Sequence, residues 1–159
     1  MLQTVNIARD VDGVHTDVLL QAFADRIMVL VTQLGKVGSL IEATIPSTMP
    51  LLPPPPPDPE HPNEHPLPDP PASIQLTPLL GSAPTERIQT LHSLYASQIA
   101  TLVWTLEQAS VLDADRRPVI VGIALAKSSE PEHSSELSAH DRAVFRGVME
   151  MVREVVLRE

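Results

Sequence analysis

The chain has 159 residues, 43 per cent of them hydrophobic and 19 per cent charged, which is one domain's worth of sequence with the composition of an ordinary globular protein. A formal charge of −9 argues against a nucleic-acid backbone or an anionic membrane surface as partner, since either needs a clustered basic face and none is written here. No apolar run approaches a membrane span, no secretory leader pattern opens the sequence, and zero cysteines exclude disulfides and thiolate chemistry, so the expected setting is the cytoplasm or the nucleus.

Val5 to Val11 and Val14 to Phe23 flank Asp12-Gly13, a dipeptide favoured at the tip of a two-residue hairpin because both positions tolerate positive φ. A tip there pairs Val11 with Val14, Arg9 with Thr16, Ile7 with Val18 and Val5 with Leu20, and gathers the apolar residues of both strands on one face. Ile27 to Val31 is five large apolar residues in a row; neither face of that strand is polar, so burial on both sides at the centre of a sheet is expected. Gly35 and Gly38 punctuate a hairpin-like turn before a fourth strand, Ser39 to Ile45.

Composition then changes abruptly. Residues 46–73 hold 13 of the 17 prolines, including the unbroken run Pro53 to Pro57, with Asp58, Glu60, Glu64 and Asp69 and no Lys or Arg. Proline cannot donate to a ladder and little here can be buried, so a disordered, largely polyproline II insertion is expected within one domain spanning 1–159. Lengthening a connection from about 6 to about 28 residues costs only about 1.4 kcal/mol of closure entropy. A fifth strand follows at Ile74 to Leu80, where Pro78 suggests an edge or a bulge. Pro84 opens a long helix to about Ala109, whose stripe from Ile88 through Leu91, Tyr95, Ile99 and Val103 to Leu106 should dock on the sheet. After a polar turn, Asp113 to Arg117, the apolar run Pro118 to Ala126 reads as a buried sixth strand. Beyond an acidic loop, Ser128 to Ser135, Ser138 with Asp141 three residues on resembles a capped start to a last helix. The order β-β-β-β-loop-β-α-β-α implies an α+β domain, an antiparallel sheet of about six strands with two helices packed against it.

Chemical motifs are scarce. His61-Pro62-Asn63-Glu64-His65 fits the H-x-x-E-H pattern of a zinc peptidase group, but Pro62 and Pro66 deny it the helix that would bring both histidines onto one face. Gly35-Lys36 lacks the other glycine and the Ser/Thr of a phosphate loop, Leu30 and Val37 standing in their places. No G-x-S-x-G elbow is present, and His15, His92, His133 and His140 have no acid/base partner that the sequence specifies. The expectation is no catalytic residue, no metal and no cofactor.

Binding is better represented. Trp104 falls almost opposite the stripe of its helix, so either it is an exposed contact for a partner or another element of the same chain covers it. Phe145 and Val156 widen the apolar sector of the last helix and join Trp104 as candidate interface residues. Pro53 to Pro57 offers a different role, an adaptor segment for an SH3, WW or profilin-type groove.

Gly13-Val14-His15-Thr16, Ala22-Phe23 and the run Val29-Leu30-Val31-Thr32-Gln33-Leu34-Gly35-Lys36-Val37-Gly38 resemble the amino-terminal half of the proteasome assembly chaperone 3 family. Leu79-Leu80-Gly81, a helix with Tyr95-Ala96 and the strand Val119 to Ala126 continue the pattern in order. The resemblance implies a non-enzymatic protein that dimerises, typically with the related chaperone 4, and promotes α-ring formation of the 20S proteasome by engaging α-subunits, notably α5. Residues 46–73 depart from it, since the family's connection there is shorter and poorer in proline.

Overall fold

The computed structural model describes residues 2–110, 116–127 and 136–159. Most of the Asp113 to Arg117 turn, the Ser128 to Ser135 loop and His133 lie outside them. Six strands, β1 (Gln3–Val11), β2 (Val14–Ala22), β3 (Ile27–Thr32), β4 (Ser39–Thr44), β5 (Gln75–Leu80) and β6 (Val119–Ala124), form one sheet, with helices α1 (Glu86–Ser110) and α2 (Ala139–Arg158) packed on it. The architecture is the α+β fold expected, with its elements in the expected order.

The first hairpin has the register read from its tip, Val11 opposite Val14 and Val5 opposite Leu20. Asp12 and Gly13 sit at φ 47° and 81°, the positive pair that lets a two-residue turn match the twist of its strands. Ser138 caps α2: its hydroxyl accepts from the Asp141 amide at 3.0 Å, while the Asp141 carboxylate accepts from the Ser138 amide at 3.2 Å. At the start of α1 the Thr85 hydroxyl accepts from the Ile88 amide at 3.2 Å.

The sheet departs from the antiparallel arrangement expected. The strands run β1-β2-β3-β6-β4-β5, and β3 pairs with β6 in parallel while the other four pairings are antiparallel. The sheet is therefore mixed, and Gly35 to Gly38 is not a hairpin turn: β3 and β4 flank β6, so residues 33–38 cross over its end. Gly38 sits where that crossing is tightest; at φ 69° a Cβ on it would lie 2.1 Å from the Ile123 carbonyl oxygen. β6 is buried along its whole length, as expected, and β5 is an edge strand whose register slips between Leu40 and Ile41, opposite Pro78.

The core lies between one face of the sheet and the helices. α2 covers β1 and β2, α1 covers β6, β4 and β5, and the two helices touch each other. Residues 46–73 form neither helix nor strand, and most of them are exposed. They are nonetheless moored. Pro68 is buried and its carbonyl accepts from Gln98 Nε2 at 2.8 Å, Leu51 and Leu67 pack on the core, and His65 meets Glu150 at 3.2 Å.

Candidate partner-binding surface

Alternation along the strands and the pairing register assign every strand residue to one of two faces. Toward the helices runs the row Val5, Leu20, Val29, Val121, Ile41, each opposite the next across β1, β2, β3, β6 and β4. Leu20, Val29 and Val121 are fully enclosed. One residue along, the opposite face carries Leu19, Leu30, Gly122, Leu40 and Leu80, again each opposite the next, from β2 to β5. Five strands at about 4.8 Å make this row about 19 Å long.

No described helix or strand lies over the second row. Leu19, Leu30 and Leu40 are half-buried, and Leu80 is 60 per cent exposed. Gly122 is the notch in the middle. A Cβ built there would fall 2.5 Å from Leu30 Cδ2 and 3.1 Å from Leu40 Cδ2, so the two leucines lean together across it and make the surface continuous. Met28 and Ile120 extend it on one side, with Gln21 and Glu42 outside them in the same row. His15, 3.5 Å from Asp10 and 3.4 Å from Asp17, forms a polar margin at one corner. An apolar strip rimmed by polar groups has the form of a protein contact.

The crossing at residues 33–38 frames the far end. Thr32 Oγ1 accepts from the amides of Leu34 at 3.2 Å and Lys36 at 3.1 Å, which curls the chain immediately after β3. Gln33 ties three strands: its Nε2 donates to Thr16 Oγ1 at 3.1 Å, its Oε1 accepts from the Ala126 amide at 3.0 Å, and its own amide donates to the Ala124 carbonyl at 2.7 Å. Leu34 and Val37 are left exposed on this crossing, beside the leucine row. Lys36 contributes its backbone to the curl.

The three residues expected at an interface lie elsewhere. Trp104 is only 2 per cent exposed, and its indole Nε1 donates to the Arg117 carbonyl at 2.8 Å. Of the two readings open for it, cover by the same chain is the one observed. α1 is buried continuously from Gln98 to Trp104, with the returning chain at Arg117 and the moored proline-rich segment adding cover beyond the sheet. Val156 is buried in the core, and Phe145 is half-buried with its ring edge-on to Tyr95 at 5.1 Å. His61 and His65 turn to different partners, Asp58 at 3.2 Å and Glu150 at 3.2 Å, in a segment without helix. The signal that marks the leucine row was present in the sequence: Ile27 to Val31 is apolar on both faces, and only one of those faces is covered by a described helix.

No protein-family model matches the chain. A stretch of 34 residues is 56 per cent identical to part of "Proteasome assembly chaperone 3" of Nematostella vectensis; it makes up 21 per cent of this chain and 25 per cent of that protein. The likeness thus spans about a quarter of that relative's length, and supports the family resemblance over one stretch of the chain.

Proposed function

We propose that this chain is a proteasome assembly chaperone that acts without catalysis as one half of a dimer. The observation that carries the reading is the row Leu19, Leu30, Gly122, Leu40, Leu80, an apolar sheet face over which no described helix or strand lies. Two such faces pack at about 10 Å with their strands nearly aligned, so the occupant that fits is the sheet of a second, similarly built subunit. That subunit is a related chaperone of the chaperone 4 type or a second copy. The dimer engages α-subunits, notably α5, and promotes formation of the 20S α-ring in the cytoplasm and nucleus. The 34-residue stretch similar to the Nematostella chaperone supports this choice of pathway, and the net charge of −9 suits a protein partner better than a nucleic acid. Affinity capture of the tagged chain from cells, read by native mass spectrometry, is expected to return a chaperone-sized partner together with α-subunits. Recovery of neither sinks the proposal.

A second reading rests on a different observation. Pro53 to Pro57 is exposed at every residue, so a polyproline groove has free access to it. Deleting residues 53–57 separates the two readings: an adaptor loses its partner, whereas the chaperone keeps both its fold and its complex.

A further inference from the structure

A cleft of 210 Å³ opens between the first turns of α1 and α2, away from the leucine row. It sits at the carboxyl ends of β3 and β6, the one parallel pair among the described strands, where Gln33 and Leu125 line it. Crevices at the carboxyl ends of parallel strands are where open sheets take ligands. Ile88, Leu91, Leu125 and Val144 make its walls apolar.

The polar groups around it divide into spent and unspent. Asp141 is spent, since its carboxylate takes Arg87 at 2.9 Å and the Ser138 amide at 3.2 Å. Gln33 is spent on Thr16 and Ala126, and His140 on Asp12 at 2.5 Å. What remains without a partner among the described residues is Tyr95, His92 and Lys127. Tyr95 is the informative one. It is 1 per cent exposed, yet its hydroxyl makes no hydrogen bond with any described residue, and it is not among the fully enclosed atoms lacking a partner, so it opens on the cleft. Buried hydroxyls are nearly always paired. Burial and the nearby Asp141 carboxylate push its ionisation above the usual range, so at neutral pH it is a donor and not an anion.

The cleft therefore offers donors, an unpaired ammonium and the positive ends of two helices over an apolar floor, and the one acid that lines it is neutralised by Arg87. We infer that it binds a carboxylate carried on an apolar group, either a hydrophobic residue at a free peptide C-terminus or a small aliphatic acid. Tyr95 and Lys127 hold the carboxylate, and Ile88, Leu91 and Val144 hold the apolar part. The site is independent of the chaperone reading, since it shares no residue with the leucine row.

The test is an NMR titration of the full chain with isocaproate, with its amide, and with a leucine-ending tripeptide whose C-terminus is free or amidated. Isocaproate is expected to shift Tyr95, His92 and Lys127 resonances saturably in the millimolar range, and both amides to bind about tenfold more weakly. Tyr95→Phe keeps the ring against Phe145 and loses only the hydroxyl; it should weaken binding about fivefold with the melting temperature held. Lys127→Gln, at an exposed position, should do likewise and serves if Tyr95→Phe disturbs the fold. Tighter binding of the tripeptide names a protein terminus as the source, and tighter binding of isocaproate names a small acid. Equal binding of acids and amides, no saturable shift, or full affinity in both variants overturns the inference.

Discussion

Val29 and Leu30 are neighbours in one strand, and they live on opposite faces of the same sheet. Val29 stands in a row whose strands are roofed by two helices, with its side chain wholly enclosed. Leu30 stands in a row of equal apolarity with no described helix or strand above it. Burial of apolar surface is worth about 25 cal/mol per Å² wherever it happens, so the second row represents stabilisation that folding of a single copy leaves unused. The covered face accounts for the fold, and the bare face is the one that the proposed second subunit would cover.

Charging the two faces gives the largest contrast. Val29→Asp places a carboxylate among Leu20, Val121 and the helices with nothing to pair it, and should cost on the order of 5 kcal/mol, comparable with the whole stability of a domain. Leu30→Asp sets the same charge where water reaches it. It should shift the melting temperature little and abolish subunit association. Melting curves with sedimentation or native mass analysis decide it, and Leu30→Asp unfolding the chain as Val29→Asp does would erase the distinction between the faces.

Trp104 comes next, and it shows where sequence reasoning reaches its limit. A helical wheel compares a residue only with its own helix, and on that scale Trp104 points away from the docked stripe. Its cover comes from Arg117, 13 residues on, and nothing local announces that return. The same holds for the sheet. The first hairpin was legible to the residue because Asp12-Gly13 sets its register, and the capping box of α2 because Ser138 and Asp141 are three apart. Insertion of β6 between β3 and β4 was not, since the partner of Ile27 is Val119, far along the chain. Nor was the leucine row, which exists only once Gly122 has been placed between Leu30 and Leu40. Trp104→Ala should therefore behave as a covered-face change, costing about 3–5 kcal/mol of stability while leaving affinity per folded molecule unchanged.

Two glycines sharpen the contrast at smaller scale. Gly38→Ala meets the Ile123 carbonyl, a backbone atom that cannot yield, and forces a side chain onto positive φ; a loss of at least about 2 kcal/mol in stability is expected. Gly122→Ala meets the methyl ends of Leu30 and Leu40, which can rotate away, and comes within 3.3 Å of the Val37 carbonyl oxygen on the crossing loop, a tight but tolerable approach. Its stability should change by less than about 1 kcal/mol. Because both leucines must then stand up from the sheet, association should weaken several-fold, and a titration of the two variants against the same partner reads the difference.

The smallest effect belongs to a proton. His92 lies in the cleft on the helix-covered side, and burial lowers its pKa below the ordinary value near 6.5. Arg87 on its own helix, Lys127 beyond β6, and His140 and Asp141 on α2 line the same cleft. In the unfolded chain His92 takes up a proton at its ordinary pKa, and in the folded chain only at lower pH. Between the two values the unfolded state holds more protons, so stability falls as pH falls through about 6.5 and levels off below the folded pKa. The difference between wild type and His92→Gln isolates this group. That difference should appear in melting temperature between about pH 7.5 and 5.5 and be absent from subunit affinity over the same range. If it appeared in affinity while melting stayed flat, the proton would be acting on the bare face, and the division of labour between the two sides of the sheet would have to be redrawn.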